Sequence, residues 1–489
     1  MYPLEPDGNE MRRLVDEAMR RIVSHIESLP EQPAQNVEGA TEEARTLVEP
    51  LPERGEAYES LLAKLFDEYI PRSFNAAGPG YLAYIPGGGV FHAAVADLIA
   101  DSVNRYVGVC AAAPLLAQLE ANVVRWFCHI IGLPRGSGGV LTSGGSLANF
   151  TAIATARDHF LGGADALVRP RGDSRADARP GGRGRPSLQE CTLYCSDQVH
   201  HAFQKAAHLA GFPYANIREI ETDDRFRMRI DALEEQIGRD RADGWRPLLV
   251  AGSAGTTNTG AVDDLRELSR VAKANAMWFH IDGAYGAFFN LTSRGREALR
   301  GIDLADSIIL DPHKTLFLPF GTGAVLVRDA QALRRAHSLH ADYLPAMQTE
   351  DELVDFCEIS PELSRDFRGL RVWLPVKTFG IGVFREQLDE KLDLIEFITD
   401  AIRSIDGIEI VAEPQLTICA FRFRNDDSLT RRLLERINAR KRVMLTGAIV
   451  RGQFVIRICI VSHRTHRDRV QMAIDDIRAA VGELAGEPA

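Results

Sequence analysis

Lys314 closes the segment Asp311-Pro312-His313-Lys314, directly after the apolar run at residues 307–310 and before a second apolar stretch at 315–320. A lysine at the end of a buried strand is desolvated, and a desolvated amine is free to form an imine with an aldehyde. A lysine at a surface turn would be spelled the same way. Asp282 ends the run Trp-Phe-His-Ile-Asp just before Gly283. Its carboxylate could satisfy its own turn, as Asp-Gly pairs often do, or hold a proton on the nitrogen of an aromatic ring. Ser143-Gly144-Gly145-Ser146 follows the run Val-Leu-Thr and opens a helical pattern. The N–H groups of Gly144, Gly145 and Ser146, the Ser146 hydroxyl and the helix dipole suit a phosphate, and equally a simple tight turn and cap. His200 and His201 stand early in a helix after another apolar run, where one of them could stack on a flat ring. Thr256-Thr257 ends a further run.

These residues need a scaffold that brings strand ends together. From about residue 140 to 327, short apolar runs alternate with amphipathic helical patterns. That alternation predicts an α/β fold, a mostly parallel sheet with helices on both faces. Ligands in such sheets sit at the carboxyl ends of the strands, where every residue named above lies. The first 70 or so residues read as amphipathic helices, with apolar positions Leu14, Met19, Ile22, Val23 and Ile26 on one face. After about residue 376, helices and the strands Thr-Ile-Cys-Ala-Phe-Arg-Phe-Arg and Phe-Val-Ile-Arg-Ile-Cys-Ile-Val predict a small α+β domain. The expected division is a helical arm at 1–85, a large domain at 86–375 and a small domain at 376–489.

Composition narrows the function class. The 489 residues carry 57 basic and 68 acidic side chains, a net charge of −11, which gives no electrostatic reason to expect a nucleic-acid partner. The uncharged stretches 73–95 and 136–156 are broken by Gly and Pro or filled with Gly, Ser and Thr, so neither predicts a membrane span. No secretory pattern opens the chain, and seven scattered cysteines read as reduced thiols, so a cytoplasmic location is expected. Cys191 and Cys195 have no second pair or His cluster to complete a metal site. The stretch 162–190, rich in Arg, Gly and Pro, reads as an exposed loop.

Taken in order (phosphate turn, histidine, Thr-Thr, aspartate, His-Lys), the motifs fit pyridoxal 5′-phosphate. From about residue 56 to 481 the sequence resembles the group II pyridoxal-phosphate-dependent amino-acid decarboxylases, of the aromatic-L-amino-acid, histidine and glutamate type. The resemblance implies the aspartate-aminotransferase fold with a seven-stranded-type sheet. It also implies an intertwined homodimer with shared sites and release of carbon dioxide from an L-amino acid. Lys314 would carry the cofactor, His313 would help fix it, Asp282 would pair with the pyridine nitrogen and Ala284 would pack beneath the ring. His200 would stack on the other face, Gly144, Gly145 and Ser146 would hold the phosphate, and Thr257 would lie near the phenolic oxygen. Tyr84 would line the substrate pocket and Arg457 would meet the substrate carboxylate.

Two departures from that family stand out. Asp311 replaces the asparagine usual in the aromatic branch, and a carboxylate beside a phosphate repels it unless it turns away, is protonated or pairs with a cation. Counting back from the segment Asp-Phe-Arg-Gly-Leu-Arg, Phe356 falls where the family's mobile loop supplies a proton-donating tyrosine. Without that donor the product would be an aldehyde, formed by oxidative decarboxylation and deamination, unless Tyr343 or His200 donates. Simple decarboxylation of an aromatic or similarly apolar amino acid is the favoured reading. An aminotransferase or lyase of the same fold is the more distant alternative. Cys110 and its alanine neighbours occupy positions where aromatic members carry bulkier pocket residues.

Overall fold

The apolar runs form the predicted sheet. A computed structural model of the chain describes residues 4–85, 87–162, 188–338 and 353–486. The expected loop at 162–190 and Tyr343 fall largely or wholly outside them. Seven strands are β1 Gly138–Thr142, β2 Cys191–Ser196, β3 Ile217–Ile220, β4 Arg246–Ser253, β5 Trp278–Asp282, β6 Ser307–Leu310 and β7 Gly323–Val327. They lie in the order β1-β7-β6-β5-β4-β2-β3. Pairs β2–β3, β2–β4, β4–β5 and β5–β6 are parallel, and β7 runs against both its neighbours.

Strand periodicity splits the core in two. Leu141, Val250, Phe279, Ile308 and Leu326 face one layer, with the helices Pro114–Ile131, Ile230–Ala242 and Leu265–Ala274. Val140, Leu249, Ala251, Ile309 and Val325 face the other, with the helices Gly145–Leu161 and His201–Leu209. Side chains alternate along a strand, so a run that is apolar throughout must be covered on both faces. Each fully buried Val, Leu or Ile contributes about 1.5–3 kcal/mol.

The topology sets where chemistry can occur. Strands β1, β2, β4, β5 and β6 end at the same side of the sheet, at Thr142, Ser196, Ser253, Asp282 and Leu310. Reversed β7 begins there, so Thr322 joins that rim.

A second, antiparallel sheet has the order β10-β11-β9-β8, with β8 Ile408–Ala412, β9 Ile418–Phe423, β10 Thr446–Val450 and β11 Gln453–Cys459. The helices Ile381–Arg403, Asp427–Ala439 and Arg467–Ala485 complete its core. The N-terminal helix Gly8–Glu27 is capped by Asp7, whose Oδ1 accepts the N–H of Asn9 and Glu10, yet none of its residues is buried. Its apolar face is only half covered: Leu14, Met19, Ile22 and Ile26 are half-buried and Val23 is exposed, so a further surface would complete the burial. Among the described residues, no helix is long and apolar enough to cross a membrane.

Candidate active site

Lys314 lies on a four-residue helical turn, Pro312–Thr315, immediately after β6. Proline at its first position fixes φ for helix entry at no hydrogen-bond cost. The turn aims Lys314 Nζ back at Asp311, whose Oδ2 lies 2.9 Å away. His313 Nδ1 sits 2.6 Å from the carbonyl oxygen of Thr322. Only an N–H can bond that carbonyl, so Nδ1 carries the proton and Nε2 is left as the second ring nitrogen. Burial lowers the His313 pKa despite the nearby Asp311 charge, which favours this neutral form.

Asp282 closes β5, and its Oδ1 accepts the Ala284 N–H at 3.1 Å. The expected Asp-Gly turn bond is therefore real, and the same carboxylate also lines the cleft. One oxygen holding the turn orients the group rigidly.

His200 caps the helix His201–Leu209 by accepting the Ala202 N–H at Nδ1, 3.2 Å. That bond requires Nδ1 to be unprotonated. The ring is open to solvent through the cleft mouth, yet surrounding protein desolvates it enough to lower its pKa. Lys314 and His201 push the same way, against Asp282 and Asp311. His201 instead meets Gln204 at 3.3 Å and is exposed, so of the two histidines only His200 faces the cleft.

Gly144 adopts φ 154°, ψ 176°, a conformation essentially reserved for glycine. Thr142 Oγ1 donates to the Gly144 carbonyl at 3.0 Å, fixing the turn. The helix that follows begins at Gly145 with no side-chain cap, so its first N–H groups remain available at the cleft. Together with Thr256, Thr257, Ala284 and Tyr285, these groups enclose about 300 Å³, the lower end of the range for small-molecule sites.

Sequence patterns alone did not reveal the support beneath this cleft. Fully buried His280 bonds Asn149 Oδ1 at 2.9 Å through Nε2 and Ser307 Oγ at 2.8 Å through Nδ1. Trp278 Nε1 also donates to Ser307 Oγ at 2.8 Å. Desolvation holds the His280 pKa down to about 4, so the ring is neutral. Asn149 was visible in the Ser-Leu-Ala-Asn stretch, but its partner lies 131 residues away and no local signal marks it.

A model of the pyridoxal-dependent decarboxylase conserved domain matches residues 42–424. The chain belongs to this family. It is 31% identical over 491 residues to the aromatic-L-amino-acid decarboxylase of Bacillus atrophaeus, covering 99% of this chain and 98% of that one. The structure of Oryza sativa TDC with PLP and tryptamine superposes with a TM-score of 0.89 at 26% identity, covering 99% of both chains. That of Rhodiola rosea 4-hydroxyphenylacetaldehyde synthase gives 0.87 at 25% identity, covering 98% of this chain and 99% of that one. The fold is that of the fold type I pyridoxal-phosphate enzymes, and the cofactor of this decarboxylase is pyridoxal 5′-phosphate.

The cleft of the decarboxylase fits that group. Asn149 Nδ2 is a buried donor on its wall without a protein partner, as expected where a ligand completes the bonding. An amine, a carboxylate, a neutral imidazole and a helix N-terminus line one cleft, and these are the kinds of group that an aldehyde, a ring nitrogen, a ring face and a phosphate call for. Asp311 Oδ1, also buried and unpartnered, is the exception.

Three residues singled out from the sequence do not line this cleft. Tyr84 is exposed, at φ 51°, on the segment leading to Gly87–Gly89. Arg457 is buried, and its guanidinium donates to the carbonyls of Thr257 and Asn258 and to Thr446 Oγ1. It therefore braces the Thr257 turn from behind. The reading of Phe356 as the catalytic loop position is corrected. Its ring is completely buried in the core, 4.9 Å beneath the Arg365 guanidinium. Its neighbours are tied down: Asp355 Oδ1 accepts the Cys110 N–H at 2.6 Å and the Cys357 N–H donates to Gly108 O at 3.0 Å. Counting along a loop gives a position but does not show whether the side chain packs inward.

Proposed function

We propose that this decarboxylase converts an aromatic or similarly apolar L-amino acid to its amine and carbon dioxide. The observation that carries this reading is the convergence of Lys314, Asp282, His200 and the Gly144–Ser146 turn on one cleft. Bound pyridoxal phosphate supplies an electron sink for the pair released when carbon dioxide leaves. Asp282, held by its bond to Ala284, would keep the proton on the ring nitrogen. Lys314 would supply the amine that anchors the cofactor, with neutral His200 and Ala284 against the two faces of the ring. Ser146 and the glycine N–H groups would bind the phosphate, with His313 beside them. Thr257, on a turn braced by Arg457, would lie near the phenolic oxygen.

The cleft gives no support to an acidic substrate. Lys314 is the only lysine or arginine among the described lining residues, and it is paired with Asp311, so an acidic side chain would find no free counter-charge. Amine rather than aldehyde is supported by Phe356, whose burial removes the reason for expecting a missing donor. A homodimer is supported by the apolar face of the helix Gly8–Glu27, which one chain covers only in part, and a cytoplasmic location by seven cysteines that form no disulfide among the described residues.

The test incubates the holoenzyme with a panel of L-amino acids and measures carbon dioxide, amine, aldehyde and peroxide together. Aromatic substrates should give amine and carbon dioxide in equal amounts, and Phe356→Tyr should leave that ratio unchanged. Stoichiometric peroxide and aldehyde, converted to amine by Phe356→Tyr, would overturn the reading. Borohydride reduction followed by peptide mapping should place a pyridoxyl group on Lys314.

A further inference from the structure

A buried carboxylate stands where the site is built to receive an anion. Asp311 is 2% exposed and follows β6 directly. Its Oδ2 meets Lys314 Nζ at 2.9 Å and lies 3.8 Å from His313 Nε2, while Oδ1 is buried without a hydrogen-bond partner. Both oxygens face the first turn of the helix Gly145–Leu161. A methyl group built on Gly145 would lie 3.0 Å from Oδ2 and 3.4 Å from Oδ1. The positive end of a helix attracts one anion readily. Here the protein already supplies one, and the cofactor brings a second.

Resting on the reading of the Gly144–Ser146 turn as the phosphate holder, we infer that Asp311 makes phosphate binding proton-linked. Its carboxylate takes up one proton from solvent when a phosphate monoester enters the turn. It changes from an acceptor paired with Lys314 into a neutral acid that donates its O–H to a phosphate oxygen. The surroundings leave few other ways to balance the charge. His313, on the same short helix, is favoured neutral by burial, as is His200 across the cleft. Asp282, at the neighbouring strand end, adds negative charge. Arg371, whose charge reaches His313, is already paired with Asp97 at 2.7 Å. Lys314 carries a single charge, already set against Asp311 at 2.9 Å, and an entering phosphate adds to the negative side. A proton on Asp311 removes that excess and frees Lys314 to face the phosphate.

The probe is pyridoxamine 5′-phosphate, which has no aldehyde and so does not condense with Lys314. Its affinity for the cofactor-free full-length enzyme and for Asp311→Asn is measured from about pH 6 to about pH 9. The ligand's own titration cancels in the ratio of the two dissociation constants, wild type over variant. That ratio should rise with pH, approaching about tenfold per pH unit for one linked proton. Calorimetry of wild type alone, in buffers of different ionisation enthalpy, should show about one proton taken up beyond the ligand's own change, and this holds even if the variant fails to fold. A flat ratio, or no excess proton uptake by wild type, overturns the proposal. Pyridoxamine without phosphate separates the two ideas. If it binds wild type as tightly as the phosphorylated form, the phosphate-turn reading itself fails. If phosphate preference is intact and proton uptake is absent, only the role of Asp311 falls.

Discussion

Replacing Glu120 with Gln tests whether a buried ion pair holds the Ser143–Ser146 turn in place. The Glu120 and Arg365 side chains are both 0% exposed and approach to 2.5 Å. Glu120 Oε2 also accepts the Gly369 N–H at 2.9 Å. Arg365 Nη2 and Arg368 Nη1 both donate to the Leu141 carbonyl, at 3.0 Å and 3.1 Å. Leu141 lies two residues before Ser143, so this cluster pins the strand end from which the turn springs. Glutamine is nearly isosteric; with its oxygen kept on the Gly369 N–H, its NH2 faces Arg365, so the substitution removes the charge and the acceptor that Arg365 meets. Arg365 is then a buried cation without its counter-ion, at a cost of roughly 3–5 kcal/mol. For 489 residues the average unfolding entropy is about 1 kcal/mol/K. The apparent Tm should therefore fall by roughly 3–5 °C. Scanning calorimetry of the cofactor-loaded enzyme reads this directly, and equilibrium titration should show weaker cofactor binding. Adding Arg365→Met removes the orphaned charge and should recover part of the loss, because the two effects are coupled. A Tm change below about 1 °C with unaltered cofactor affinity would refute the reasoning.

The segment that crosses the lysine should be equally sensitive. A methyl group at Gly87 would lie 2.0 Å from the His313 carbonyl oxygen and 3.1 Å from that of Lys314. Gly87→Ala should lose at least about tenfold in cofactor affinity while the circular dichroism stays native; tight cofactor binding in this variant would contradict the packing. Acid stability has a worked sign. His280 is fully buried, its pKa is depressed to about 4, and the unfolded value is near 6.5. Its neutral form stabilises the fold fully above about pH 6.5, and that contribution is lost as pH falls towards about 4, at up to about 1.4 kcal/mol per pH unit. Burial depresses His337 to about 4 and His463 to about 3, in the same direction. Tm should therefore fall steadily over this window, and a flat profile would show that these rings are not buried neutral.

Much of the candidate site was legible because it is local. Lys314 on its proline-started turn, Asp282 before a glycine and the Gly-Gly-Ser helix entry each depend on a few consecutive residues. Strand patterns then place them at one edge of a parallel sheet. β3, β8 and β10 escaped notice, because four or five residues with interrupted apolar character carry too little periodicity.

Residue type and strand-end position are properties of the chain, so the candidate residues could be named from the sequence. What each of them touches depends on how distant elements pack. Arg457 sits in an apolar strand pattern that shows its face, but the turn it braces lies about 200 residues away. Phe356 occupies a loop position by count, and only packing shows its ring sealed beneath Arg365. Asp311 looked like a repulsive neighbour for a phosphate. The fold gives it Lys314 as a partner and leaves its second oxygen unpaired against the helix that begins at Gly145. Periodicity reports the direction of a side chain relative to its own element. The energy of a buried charge depends on what lies opposite it, and that is settled when distant elements pack together.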